Sequence, residues 1–193
     1  MSRPKTVRPP RERILTAALA AFAARGVGAS SIQEVADAAG MSKQALMHHF
    51  RTKELLRAGV YELLAERLRE QIPEAAAELV SRSHDRYRGL LEVALRRFAD
   101  NPELSRFLVF ELLERPEKVR EWLREEAAPW LGLVRGVVEQ SKESERFDSE
   151  AHLAVLGGML LAQSALVPRT DRRWRARTEK ATLQVMLRGS LLA

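Results

Sequence analysis

Lys43, Gln44, Met47, His48 and His49 fall within seven residues, at a spacing that puts them on the outer face of one short helix. A surface so rich in hydrogen-bonding groups suits either a nucleic acid or a metal ion. Adjacent histidines on a helix point about 100° apart, so His48 and His49 do not share an ion without a distant third ligand. His84 and His152 stand alone, and neither has an Asp or Glu three residues before it, which removes the di-iron pattern of paired helices. Neither a metal nor a cofactor is expected. The chain also lacks the Gly-x-Ser-x-Gly elbow, the Gly-x-x-x-x-Gly-Lys phosphate loop, the Gly-x-Gly-x-x-Gly turn and His-Glu-x-x-His, so no catalytic residue is assigned and no enzyme is expected.

The elements that hold this surface are legible around it. Ser31 followed by Glu34 is a capping box that opens a helix, and Ile32, Val35, Ala36 and Ala39 give that helix one buried face. Gly40 ends it, since glycine enters the left-handed region without strain. Ser42 caps the next helix, whose Ala45, Leu46 and Phe50 are expected to face inward. Ala36 is small enough for the two helices to cross closely. Two capped helices joined by a glycine turn are a helix-turn-helix, which lays its second helix in the major groove of DNA. An ordinary helical hairpin in an all-α core uses the same capping devices.

Charge separates the two readings. The net charge is +6, and residues 1–57 hold ten Lys or Arg against four Asp or Glu, whereas the other 136 residues hold 22 of each sign. A surplus confined to the end that carries the reader is what a phosphate backbone attracts, through counterion release. With 193 residues and 46% hydrophobic side chains, the chain can bury a sizeable core. The absence of cysteine excludes disulfides, thiolate nucleophiles and Cys-ligated zinc, and is consistent with a cytoplasmic protein. Residues 1–10 are basic and proline-rich without the apolar stretch of a signal peptide, and read as a flexible arm. The most apolar window, Leu153 to Val167, is too short for a bilayer span.

The periodicity elsewhere is helical throughout, giving an all-α fold. A first helix is predicted from Pro10 to about Arg25, with Ile14, Leu15, Ala18, Leu19 and Phe22 on one face and Gly26 and Gly28 as its stop. After the reader, Thr52 caps a long helix striped by Leu55, Leu56, Gly59, Val60, Leu63, Leu64 and Leu68. It is predicted to end at Pro73 and to link the reader mechanically to the rest of the chain. Prolines then set boundaries for helices over about 85–99, 102–114, 116–127 and 129–142. Two long helices close the chain, over about 149–166 and 171–192. The first is apolar around most of its circumference and carries Gly157 and Gly158, which admit a close neighbour, so a homodimer through about 149–192 is expected.

The sequence resembles the TetR family of bacterial one-component regulators over its whole length, and most specifically over residues 11–64. The matching residues are the first helix ending at Gly26, Ser30-Ser-Ile32, Val35-Ala36, Ala39-Gly-Met-Ser42 and the run from Ala45 through His48, His49 and Phe50 to Leu56. The resemblance implies an N-terminal three-helix DNA-binding domain with a helix-turn-helix and a C-terminal helical-bundle domain for ligand binding and dimerisation. The implied boundaries are 1–10 for the arm, 11–57 for the DNA-binding domain and 58–193 for the second domain. By position, it implies that Lys43 and Gln44 reach base edges, lysine toward guanine and glutamine toward adenine. It places Ser42, His48, His49 and Lys53 on phosphates and Ser31 at a helix terminus facing one. Met47 departs from the tyrosine common in the family, and a thioether donates no hydrogen bond to a phosphate; a thymine methyl or a sugar is its alternative partner.

The implied function is a ligand-responsive transcriptional regulator, a repressor, that binds a palindromic operator in double-stranded DNA as a homodimer and is released by a small molecule. A helical adaptor that binds protein instead of DNA is the alternative, and would lack a steep salt dependence. Phe107, Phe110, Trp122, Trp130 and Met159 are natural lining for an apolar cavity, with His152 and Gln163 to orient a polar group; each serves equally as core packing. No arginine cluster falls on an apolar face, so an apolar or weakly polar effector is expected.

Overall fold

The computed structural model describes residues 9–81 and 86–138, together with residues 157, 158, 161, 162, 173, 176–178, 180–182 and 184. Residues 1–8 of the expected arm and most of the two closing helices lie outside these, as do His84, His152, Met159 and Gln163. Among the described residues, seven helices run in chain order: α1 (Pro10–Ala29), α2 (Ile32–Ala38), α3 (Lys43–His49), α4 (Lys53–Ser81), α5 (Arg86–Asp100), α6 (Pro102–Glu114) and α7 (Pro116–Val138). Among the same residues there is no strand. The chain divides into two compact units, 1–66 and 67–193.

The first unit is built on α1. Its expected apolar face, Ile14, Leu15, Ala18, Leu19 and Phe22, is at most 1% exposed, α1 packs on α2, and Val35 and Ala36 of α2, Leu46 and Phe50, and Leu56, Val60, Leu63 and Leu64 of α4 are buried in the same unit. Fully burying each large apolar side chain stabilises by about 1.5–3 kcal/mol, so this cluster holds the small unit together. Gly26 takes φ 79° and ψ 164°, a conformation open to glycine, and so breaks α1 where the sequence places a stop; a last turn then continues to Ala29. Ser30 secures that turn, its hydroxyl donating to the Gly26 carbonyl at 2.8 Å. Gly59 of α4 sits where a Cβ would come within 2.8 Å of Leu15 and 2.9 Å of Phe50, so α4, α1 and the end of the reader meet there.

Three local expectations are corrected. Leu55, assigned to the buried stripe, is 53% exposed, because it points about 100° around α4 from the fully buried Leu56. α4 does not stop at Pro73, and α7 runs through Pro129, merging two predicted helices. Both prolines are exposed, so the carbonyls they leave without a helical partner are open to water, and the helices persist.

In the second unit α5, α6 and α7 pack on one another. The buried face of α6 is Leu104, Phe107 and Leu108, with Glu111 and Ser105 also fully buried. Val93 and Leu95 of α5, Val119 of α7 and, later in the chain, Leu161 are also buried. Arg69 and Glu126 form an ion pair at 2.6 Å.

Candidate nucleic-acid interface

The two helices of the reader are short, and at seven residues each they depend on their caps. At the start of α2 the Ser31 hydroxyl accepts the Glu34 N–H at 3.1 Å while the Glu34 carboxylate accepts the Ser31 N–H at 2.9 Å, the full capping box. Arg25 of α1 adds an ion pair to Glu34 at 2.9 Å. The Ser31 N–H bond, followed by Arg25, holds the Glu34 carboxyl below the usual glutamate range.

Between α2 and α3 the chain turns on Gly40, at φ 67°. Met41 N–H donates to the Ala36 carbonyl and Gly40 N–H to the Asp37 carbonyl, each at 3.0 Å, which satisfies the end of α2 in a Schellman arrangement. Ser42 then caps α3 by accepting the Ala45 N–H at 3.1 Å. Ala36 is fully buried, as the close crossing requires. Leu46 anchors α3 in the core at 0% exposure and Phe50 anchors its C-terminal end.

What remains outside is the candidate recognition surface. Lys43, Gln44, His48 and His49 are exposed and Met47 half-buried, with the two imidazoles edge to face at 5.9 Å between centroids. Ser31 and Ser42 are exposed at the two caps. Ala45 is exposed too, which corrects its inward assignment: it lies one turn before His48 and His49, on their side of the helix. Arg51, exposed between α3 and α4, was missed by sequence reasoning because it sits outside the helix whose period guided the assignment.

The cations divide sharply. Arg11 pairs with Glu62 at 2.6 Å and its guanidinium lies 5.7 Å from the Phe50 ring centroid. Arg13 donates to the Ala39 carbonyl at 2.9 Å, and Arg57, which is buried, lies 3.6 Å from Glu54. Lys53 donates to the carbonyls of Gly28 at 3.1 Å and Ser30 at 3.0 Å. With Arg25 on Glu34, five of the seven described Lys and Arg residues of this unit are bound to the protein itself. Among the described residues, none partners Lys43 or Arg51.

The expected ligand residues distribute differently. Phe107 is fully buried, while Phe110 and Trp122 are half-buried on α6 and α7. Trp130 lies in α7, its side chain outside those described, and His152, Met159 and Gln163 are outside altogether. Among the described residues no group of three His, Asp or Glu is placed to hold a metal ion, and no helix is long and apolar enough to cross a membrane.

The model of the family described as bacterial regulatory proteins, tetR family, matches residues 14–60. Among solved structures, a fatty acid degradation regulator, FadR, from Bacillus halodurans has a TM-score of 0.71 at 19% identity, over 97% of this chain and 99% of that one. A TetR-family regulator from Bordetella parapertussis gives 0.70 at 20%, over 94% and 95%. AibR, solved with isovaleryl coenzyme A and operator DNA, gives 0.69 at 17%, over 92% and 97%.

Proposed function

Because residues 14–60 match the model of the tetR family of bacterial regulatory proteins, we propose that the chain is a member of that family, a transcriptional repressor that binds a palindromic operator as a homodimer and is released by a small molecule. The observation that carries this reading is the outer face of α3: Lys43 and Gln44 in its first turn, exposed on a helix capped by Ser42 and anchored in the core by Leu46 and by Phe50 at its C-terminal end. In the major groove Lys43 is assigned to guanine acceptors and Gln44 to adenine, with Ala45 and Met47 against thymine methyls or sugars. Ser31, Ser42, His48, His49 and Arg51 are assigned to phosphates. Such a protein acts in the cytoplasm.

Two readers on a palindrome must meet successive major grooves about 34 Å apart, so a modest rotation of α4 in each subunit is enough to lose affinity. The effector is assigned to the second unit, with Phe107, Phe110, Trp122, Trp130, His152, Met159 and Gln163 as its candidate contacts and dimerisation through about 149–192. An apolar or weakly polar portion suits such a lining. The acyl thioester bound by AibR, a relative in fold, supports testing acyl-coenzyme A compounds first.

Selection from a random duplex pool, followed by footprinting with and without candidate effectors, tests the reading. A two-fold symmetric site protected by a dimer, and lost on adding effector, is expected. A monomer indifferent to every duplex at low salt rejects it in favour of the protein-binding adaptor, as does binding without a steep salt slope that survives Lys43→Ala unchanged.

A further inference from the structure

We propose that Lys53 is a positioning residue of the DNA reader, not one of its phosphate contacts: its ammonium clamps the end of α1 to the first turn of α4 and so sets the pitch at which α3 is presented. The proposal rests on the DNA-binding reading above. Two of the three ammonium N–H groups are directed at the carbonyls of Gly28 and Ser30, at 3.1 and 3.0 Å, and the side chain is half-buried. Those carbonyls belong to the last turn of α1 and its cap, where a helix leaves acceptors without partners and its dipole favours a cation.

The residue after Ser30 is the N-cap of α2, so the clamp fixes where α2 begins. Arg13 of α1 holds the opposite end through the Ala39 carbonyl at 2.9 Å, and Arg25 holds Glu34. α2 is thus fixed at both ends by cations from its neighbours, and it packs directly on α3. A rotation of α4 carries the Lys53 ammonium off its carbonyls and releases one end of α2. Arg51, two residues earlier, is the contrasting cation, exposed and with no partner among the described residues.

The salt dependence of binding separates the two roles. The full chain is titrated with its selected operator and with a random duplex across a range of salt, as wild type, Lys53→Met, Lys53→Arg, Arg51→Ala and Lys43→Ala. Lys53→Met is expected to keep the wild-type salt slope and random-duplex affinity, while operator affinity falls on the order of tenfold. Lys53→Arg is expected to restore most of that loss, because a guanidinium donates to the same carbonyls. Arg51→Ala is expected to lower the slope by about 0.9 for each phosphate contact removed.

The proposal is overturned if Lys53→Met lowers the slope as Arg51→Ala does, which makes it a phosphate contact. It is equally overturned if operator and random duplex weaken by one common factor, which is a loss of folded protein, or if neither weakens. Slopes unmoved in Arg51→Ala and Lys43→Ala would instead bring down the DNA reading itself, and this proposal with it.

Discussion

The reader in the first unit and the α5–α7 core of the second are both helical, yet they use polar groups in opposite ways. In the first unit the polar side chains near the backbone are caps and clamps: Ser31, Glu34, Ser42, Thr52, Arg13 and Lys53 each meet a main-chain group. In the second, Ser105 and Glu111 are buried within the apolar face of α6. Two seven-residue helices cannot hold themselves, so local hydrogen bonds must specify them. Helices of 13 to 23 residues depend less on such local support.

The sharpest way to break this contrast is to truncate, among the described residues, the largest fully buried side chain of each unit. Phe22→Ala is expected to cost about 3–5 kcal/mol in chemical denaturation and to abolish operator binding, because the packed helices around it close only partly over the void. Phe107→Ala, equally buried, is expected to cost a similar amount if it is core. A much smaller loss would move Phe107 from the core to the wall of a ligand cavity.

Next in size is Gly59→Ala, where the added methyl meets Leu15 and Phe50 inside van der Waals distance. A cost of about 1–3 kcal/mol in thermal or urea melts is expected, offset in part by better helix propensity. Gly40→Ala should cost about 1–2 kcal/mol for a different reason: nothing lies within 4 Å of the new Cβ, and the penalty is the positive φ alone. If Gly40→Asn, which tolerates that conformation, proves as costly as alanine, the backbone explanation fails.

The smallest effect expected is on the capping box. Glu34 is held below its ordinary value by the Ser31 N–H and Arg25, so its stabilising contribution is complete above about pH 4.3, the usual value for an unfolded glutamate. That contribution is lost as the pH falls further, through the depressed folded value. The stability gap between wild type and Glu34→Ala, followed by circular dichroism against pH, should therefore be widest near neutrality and close in acid.

Much of the reader was written in short sequence intervals. Ser31 with Glu34, Gly40, Ser42 and the α1 face from Ile14 to Phe22 could each be assigned because the deciding contacts lie within a few residues. The outward surface at Lys43, Gln44, His48 and His49 came from the same period. Ala45 and Leu55 defeated it because each sits about 100° around its helix from the fully buried Leu46 and Leu56, on the solvent side. Pro73 and Pro129 misled as boundaries, since sequence shows the missing N–H but not whether water reaches the abandoned carbonyl.

By itself the sequence determined that the chain is helical, where the reader lies, which turn it uses and that positive charge gathers at one end. Only the tertiary structure decided how that charge is spent. Composition counts a cation the same wherever it points, whereas the partners of Lys53 lie 23 and 25 residues back along the chain and that of Arg13 lies 26 ahead. Such bonds exist only once α1, α2 and α4 have packed, and they leave Lys43 and Arg51 as the cations of the first unit with no partner among the described residues.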